Sequence, residues 1–349
     1  MKLKDLIINK KEKAIKGFTP YIEIGDIDLI TKKYLVKDKP AVNGAIIVKK
    51  GDILISTVRP SRGAITIVQD DIAAATGAFT QLRSDPKKCL SKYLFYSLNR
   101  IKFFQYLDAK ANGVAYPTCS TKDILNYEIN VPHLEEQIVI INKLDKLAEA
   151  IESRKLSLIN SNELIDSMFF YIFGNPQNNE KGFNTKKGKY LFELTSGKFL
   201  NQNDRKTSGY PVYGGNGINS YADQYLINFR TIIIGRVGAY CGNVKISPEK
   251  SWITDNAIYI KKFISNEYDI DFLYYLMSRF NFYRFADFSG QPKISQKPIL
   301  DVEYILPPLN MQKKFVSFVN SVEKQKTFFQ KDIENLEEIY DAKTHEFFD

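Results

Sequence analysis

One uninterrupted stretch, residues 131–174, limits what this chain of 349 residues can fold into. It begins around Pro132, contains no further Pro or Gly before Gly174, and is followed by Pro176, a pattern typical of one long helix. About 38 helical residues at ~1.5 Å each give a rod of about 57 Å. Its apolar residues recur in alternating steps of four and three, as in a coiled coil, so we expect this helix to pack against another helix.

The same pattern occurs a second time, 175 residues further along the chain. Pro132 and Gln137 correspond to Pro307 and Gln312 without a gap, and eight of ten seam positions are apolar in each copy. The chain therefore contains two copies of one unit, each a globular stretch followed by a long helix. The seam residues that we expect to pair the two helices are Leu144, Leu147, Ile151, Leu158, Ile165, Val319, Val322, Phe329, Ile333 and Leu336.

This repeat predicts an α+β fold with two β-rich domains and two long helices packed as an antiparallel coiled coil. We place the first domain at 1–133, the first helix at 134–174, the second domain at 175–308 and the second helix at 309–349. Local patterns in the first domain predict two or three strands in Ala45–Val68, one helix in Lys92–Leu107 and a last strand in Leu125–Pro132. An antiparallel register would set Arg154 beside Ile333 and Ser161 beside Lys326.

The net charge of +9 is not spread evenly along the chain. Residues 1–135 carry 22 Lys/Arg against 14 Asp/Glu, and residues 176–309 carry 17 against 12, whereas each long helix has a net charge of −2. Two basic domains joined by slightly acidic helices fit a polyanion that is bound at two places. Ordinary solubility charge explains the same numbers, so the charge leaves both interpretations open.

Composition excludes several classes of protein. No apolar run approaches the ~20 residues that cross a bilayer, and the N-terminus lacks the pattern of a secretory leader. Three cysteines without a regular spacing and two histidines favour neither a disulfide framework nor a metal site. We therefore expect a cytoplasmic protein that has no metal and no membrane partner.

The sequence offers no convincing catalytic arrangement. The Gly-rich segment Ile234–Gly238 lies between predicted strands and opens no helix, so a tight turn explains it better than a nucleotide loop. The pair Pro307–Pro308 reads as a helix start, and Asp70–Asp71 as turn residues. We expect no catalytic residues and interpret the chain as a binding protein rather than an enzyme.

Loops at matching points of the two repeats combine Arg or Lys with Asn, Gln, Ser, Thr or Tyr, the residue types that contact phosphates and base edges. An ordinary exposed loop is the better explanation for any one of these side chains taken alone, and the matched constellation is what favours DNA. The candidate DNA-binding residues are Lys10, Lys11, Lys13, Arg59, Ser61, Arg62, Tyr116, Thr118, Ser120, Tyr213, Asn216, Asn219, Tyr221, Arg236, Tyr240, Gln291, Lys293 and Ser295.

The order domain, long helix, domain, long helix resembles the specificity (S) subunit of type I restriction-modification systems. The resemblance rests on VPHLEEQIVIINKLDKL and LPPLNMQKKFVSFVNSV at the helix starts, and on GYPVYGGNGI, GDILISTVRP and SGQPKISQKPILD in the domains. One departure is His133, which stands where the second helix start has another proline.

The resemblance implies two target-recognition domains related by pseudo-twofold symmetry, each reading half of a bipartite, asymmetric sequence in double-stranded DNA. It implies helices that measure the unread spacer, two DNA-methyltransferase (modification) subunits that carry S-adenosylmethionine, and restriction subunits that use ATP and Mg. The chain itself then needs no cofactor. Two alternatives remain: a DNA-recognition adaptor of another methylation or phage-defence complex, and a coiled-coil scaffold that binds proteins.

Overall fold

The computed structural model describes residues 1–8, 11–35 and 39–349. The chain forms two compact units. The first consists of Met1–Lys155 together with Lys331–Asp349, and the second of Leu156–Gln330. Each unit therefore combines one β-rich domain with a segment of both long helices.

The domain of the first unit contains two three-stranded sheets, of order β1-β5-β2 and β4-β3-β6. Its strands are β1 (Tyr21–Ile22), β2 (Ile46–Lys49), β3 (Ile53–Ser56), β4 (Ile65–Ile67), β5 (Ile72–Ala75) and β6 (Phe79–Leu82). Its helices are α1 (Ser91–Leu98), α2 (Ile101–Lys110) and α3 (Thr121–Leu125), and they precede the long helix α4 (Leu134–Phe173).

Two local predictions for this domain are wrong. The single helix expected in Lys92–Leu107 is broken at Asn99–Arg100, because the backbone leaves helical geometry there before α2 begins. The strand expected in Leu125–Pro132 is reduced to an isolated bridge between Glu128 and Lys2. The prediction of up to three strands in Ala45–Val68 is confirmed by β2, β3 and β4.

Strand β3 lies at the centre of the first domain and is buried on both faces. Ile53 and Ile55 pack into the cluster that contains α1 and α2, whereas Leu54 packs into the cluster beneath β2 and β5. Successive side chains of a strand point to opposite faces, so a continuous apolar run fills two layers of core at once.

The second unit repeats this arrangement with more strands. A four-stranded sheet has the order β12-β11-β14-β8, a three-stranded sheet the order β10-β9-β13, and β15 pairs with β7. The strands are β7 (Thr185–Lys187), β8 (Phe192–Ser196), β9 (Tyr210–Gly214), β10 (Gly217–Ala222), β11 (Thr231–Gly235), β12 (Val244–Ser247), β13 (Trp252–Ile253), β14 (Ala257–Phe263) and β15 (Glu303–Ile305). The helices are α5 (Ile270–Met277), α6 (Gln296–Asp301) and the long helix α7 (Leu309–Phe348).

Strand β11 is the counterpart of β3. Ile232 and Ile234 belong to one core cluster and Ile233 to another, which is the same division of one strand between two layers. Both central strands have antiparallel neighbours on each side. The predicted repeat of β-rich α+β domains is therefore confirmed.

The long helices pair in antiparallel fashion within the first unit. Ile140 and Leu144 of α4 are buried in the cluster against which Tyr340 and Phe347 of α7 pack. Two ion pairs follow, Arg154 Nε to Asp332 Oδ2 at 2.6 Å and Lys155 Nζ to Glu337 Oε1 at 2.7 Å. From Ile140 to Arg154 the residue numbers of α4 rise, while those of the contacting part of α7 fall from Phe347 to Asp332, which defines the antiparallel direction.

The second unit contains an equivalent pairing. Phe169 and Phe173 of α4 contact Phe315 of α7, with ring centroids 5.5 and 5.6 Å apart. Lys326 Nζ donates to Asn162 Oδ1 at 2.8 Å, within one residue of the predicted register. Five of the predicted seam residues are buried and the other five partly buried. The buried five are Leu144, Ile165, Val319, Val322 and Ile333, and the partly buried five are Leu147, Ile151, Leu158, Phe329 and Leu336.

Candidate nucleic-acid interface

Two loops of the first domain are tied together by backbone hydrogen bonds. Arg59 N–H donates to Pro117 O at 2.7 Å, and Cys119 N–H donates to Thr57 O at 2.9 Å. Residues 57–63 follow strand β3, and residues 112–120 lie between α2 and α3. We call these two segments the paired loops of the first domain. Their contact brings together candidate residues that are more than 50 positions apart in the sequence.

The second domain has paired loops of the same construction, residues 236–243 and 287–295. Gly238 N–H donates to Pro292 O at 2.8 Å, and Ile294 N–H donates to Arg236 O at 2.9 Å. Pro292 lies 175 positions after Pro117, the same offset as the two long helices. Because bonds of the same kind close both pairs, the paired loops are part of the repeated scaffold.

In the first domain, the side chains of Arg59 and Tyr116 form the centre of the paired loops. The guanidinium carbon of Arg59 lies 4.6 Å from the centre of the Tyr116 ring. That ring is 68% exposed, and Ser61, Arg62 and Thr118 are exposed as well. These five side chains form an open surface with two cations, a stacked aromatic ring and two hydroxyl groups.

Ser120 has a different position. It is the N-cap of α3, where its hydroxyl accepts from Asp123 N–H at 3.2 Å and Asp123 accepts from Ser120 N–H at 3.0 Å. The Ser120 hydroxyl also donates to the Asp123 carboxylate, and this bond, together with the one from Ser120 N–H, lowers the pKa of the Asp123 carboxyl because both favour its ionised form. Ser120 therefore orients the end of the loop, as a capping box does.

The second domain presents a more polar set in its paired loops. Arg236 Nη1 donates to Asp255 O at 3.2 Å, which holds that side chain against the loop before β14. Tyr240 is 54% exposed, and Gln291, Lys293 and Ser295 are exposed on the partner loop. The structure therefore gathers all five of these predicted residues.

The β9–β10 hairpin lies beside the paired loops of the second domain. Asn243 Nδ2 donates to Asn216 Oδ1 at 3.1 Å, which joins the hairpin turn to the first paired loop. Asn219 Oδ1 accepts from Arg205 Nη1 at 3.0 Å, and Tyr221 is partly buried. Arg205 is not among the residues predicted from the sequence, because the polar residues around it show no regular pattern.

Tyr213 requires a correction, because it belongs to the core. Only 7% of the residue is exposed, and its ring packs with Ile233, Ile253 and Tyr259. Burial raises the pKa of its hydroxyl above the ordinary value. Tyr213 therefore points to the face of its sheet that packs against β11 and β14, and we interpret it as a packing residue.

The lysines near the N-terminus lie elsewhere in the first domain. Lys10 falls outside the described residues, and Lys11 and Lys13 are exposed. Lys13 forms a bridge with Ile46 of β2, in the sheet that does not contain β3. A lysine that the sequence did not single out, Lys32, donates to Gly63 O at 2.8 Å, and burial lowers the pKa of its ammonium group.

Neither a metal cluster nor a membrane-spanning helix occurs in the part of the chain that the structure describes. No group of three or more His, Cys, Asp or Glu side chains there could hold a metal ion. No helix among those residues is long and apolar enough to span a membrane.

Comparison with known proteins identifies the family. Residues 2–161 and 180–338 match the model of the type I restriction modification DNA specificity domain. The chain belongs to this family. Both copies of the repeat are matched, which agrees with the two sets of paired loops.

Curated relatives match over shorter segments. The chain is 27% identical over 120 residues to the type I restriction enzyme EcoprrI specificity subunit of Escherichia coli, covering 32% of this chain and 29% of that protein. It is 26% identical over 142 residues to the HindI specificity subunit of Haemophilus influenzae, covering 38% and 30%. The matched segments thus span about three-tenths of the length of these relatives.

Solved structures share the fold over nearly the whole chain. The S subunit of a type I restriction-modification system from M. genitalium has a TM-score of 0.67 at 19% identity, covering 99% of this chain and 94% of that one. A chain from a study of complex assembly and conformational transition in the type I R-M system has a TM-score of 0.62 at 18% identity, covering 99% and 96%. At these identities the likeness concerns the fold.

Proposed function

We propose that this chain is the DNA-recognition subunit of a type I restriction-modification complex and that each domain reads one half of a two-part DNA sequence. The repeated paired loops are the observation that carries the proposal. The same backbone bonds present Arg59 and Tyr116 in one domain and Gln291 and Lys293 in the other. A shared scaffold that carries different side chains suits two related domains that recognise different bases.

We further propose that two modification subunits and the restriction subunits bind this chain in the cytoplasm and carry the chemistry. S-adenosylmethionine, ATP and Mg belong to those partners in this proposal, and the chain supplies recognition and a platform without a catalytic residue of its own. Family membership and the basic charge of both domains support this division of labour.

The decisive experiment maps methylated adenines in DNA from cells that express this chain with its cognate modification subunit. We expect a split motif in which one half changes when residues 1–130 are exchanged for those of a relative, and the other half when residues 176–305 are exchanged. Cells with the modification subunit alone are the control and are expected to show no such motif.

Three results would count against the proposal. A continuous motif would contradict recognition by two domains, and a split motif that neither exchange alters would assign recognition to another subunit. A complex that assembles but methylates no DNA in a chain-dependent way would favour the coiled-coil scaffold instead.

A further inference from the structure

Arg59 has a backbone conformation that is unusual for its residue type. Its φ is 48° and its ψ is 61°, in the left-handed region. The other positive-φ residues of the paired loops are glycines, among them Gly63, Gly113 and Gly238. Glycine adopts this conformation freely, whereas a residue with a Cβ is strained there.

The second domain shows what the scaffold alone requires at this position. Gly238 donates to Pro292 as Arg59 donates to Pro117, so the two residues are structural equivalents, and Gly238 has a φ of 87°. The loop closure therefore needs a left-handed residue in both domains. One domain meets that need with glycine, while the other keeps arginine in spite of the strain, which points to a role for the arginine side chain.

The side chain of Arg59 stacks on an aromatic ring and uses few of its hydrogen-bond donors within the protein. The ring of Tyr116 lies 4.6 Å from the guanidinium carbon. Within residues 1–8, 11–35 and 39–349, the one hydrogen bond that the guanidinium donates is a long one, from Nη2 to Ala115 O at 3.4 Å. A guanidinium carries five N–H donors in a planar fork, so stacking orients it without using most of them.

Such a fork matches one base edge best. Guanine presents two acceptors, O6 and N7, in the major groove, and arginine donates to both at once. Adenine presents an acceptor and a donor, which suits a glutamine or asparagine amide. Position 116 of the first domain corresponds to Gln291 in the second, so the two domains offer different chemistry at the same point of the repeat.

We propose that Arg59, oriented by Tyr116, reads a guanine in the half of the DNA target that the first domain recognises. This inference rests on the proposed function and adds one named base contact to it. Tyr116 acts here as a positioning residue, because it stacks on the guanidinium that meets the base.

The test is selection from random-sequence duplex DNA by the full chain in complex with its modification subunits. Wild type is expected to select a two-part consensus with a G·C pair at one position of the first half-site. Arg59→Gln is expected to lose that preference alone and to bind the wild-type consensus about 10- to 100-fold more weakly. Tyr116→Phe is expected to keep the preference and Tyr116→Ala to weaken it.

Arg59→Gly separates recognition from folding. It is expected to lose the same G·C preference, while its Tm equals or exceeds that of wild type because the strain is removed. Lys250→Gly is the matched control. Lys250 is also left-handed, with a φ of 53°, but it lies in an exposed turn outside the paired loops, so its replacement is expected to leave the consensus unchanged.

Three results would overturn the inference. A uniform loss of affinity with an unchanged consensus in Arg59→Gln would identify a phosphate contact. A lower Tm with an unchanged consensus in Arg59→Gly would identify a structural role. Failure of the wild-type complex to select any consensus would overturn the proposed function and this inference with it, a pattern distinct from the first two.

Discussion

At the scale of single residues, two buried glutamines explain why the starts of the long helices look alike. Gln137 Nε2 donates to Lys88 O and Pro132 O, both at 2.9 Å, and its Oε1 accepts from Leu90 N–H at 2.8 Å. Each of these bonds ties the first turn of α4 to the backbone that surrounds it. The side chain is fully buried, and the two carbonyls and the N–H that it contacts rely on it as their hydrogen-bond partner.

Gln312 makes the equivalent three bonds in the second unit. Its Nε2 donates to Glu267 O at 2.9 Å and Pro307 O at 2.8 Å, and its Oε1 accepts from Asp269 N–H at 2.9 Å. Asp269 is the N-cap of α5, so the glutamine joins the start of one helix to the start of another. The repeated Pro-to-Gln spacing is therefore a structural device.

Replacement of either glutamine by leucine is expected to destabilise its own unit. Gln137→Leu leaves two partly buried carbonyls and one N–H without this partner, which costs about 2 kcal/mol. For a unit of this size that lowers the Tm by about 4–8 °C, measurable by calorimetry. Gln330→Leu, on an exposed position of α7, is the control and is expected to change the Tm little. Equal Tm values for the two variants would contradict the assigned role.

Some residues could not be placed from sequence, because their surroundings come from distant segments. Arg59 is left-handed only because Pro117, 58 positions away, closes the loop over it. Tyr213 was predicted to face DNA, but it packs in a core cluster with residues of β11, β13 and β14, and that packing has no local pattern in the sequence. By contrast, Tyr116 and Gln291 were predicted to be surface residues because polar, Gly- and Pro-containing loops are exposed in most folds.

At the scale of elements, the long helices were the most predictable part of the molecule. Each helix has 40 residues, and its apolar residues keep a helical period along that length. A strand or a loop would not produce such a period. The last helix turn of α4 ends where Gly174 adopts a φ of 68°, as its sequence position predicted. Short elements were less predictable, since Asn99 alone does not reveal a break between α1 and α2.

The polar seam position at Ser161 and Lys326 provides a test of the helix pairing in the second unit. Ser161 is buried and its hydroxyl donates to Ser157 O at 2.7 Å, while Lys326 extends to Asn162. The double variant Ser161→Leu with Lys326→Leu is expected to raise the Tm by more than the sum of the two single changes, because the two leucines then also pack against each other. Additive shifts would contradict direct contact between these positions.

At the scale of the whole molecule, the uneven charge predicts a strong dependence of DNA binding on salt. If about four phosphates are neutralised, affinity for duplex DNA falls about 100-fold between 50 and 200 mM salt, which a titration in each buffer measures. The double variant Lys11→Gln with Lys13→Gln is expected to bind more weakly and to flatten this dependence. Lys324→Gln, on α7, is the control.

A change of less than about threefold over the same range would contradict the DNA interface. It would favour the coiled-coil scaffold, because contacts between neutral protein surfaces involve little release of counterions. The base preferences lie beyond what charge can predict, since phosphate contacts carry no sequence information.

The first unit is built from two separate segments of the chain, and this affects the order in which the protein folds during synthesis. Residues 331–349 belong to that unit together with residues 1–155, whereas the second unit is one continuous segment. During translation the second unit can acquire all its parts first, and the first unit remains incomplete until its closing segment has left the ribosome. Until then Leu144 and its neighbours lack Tyr340 and Phe347, so we expect a nascent chain stalled before residue 331 to expose this apolar surface and to bind chaperones.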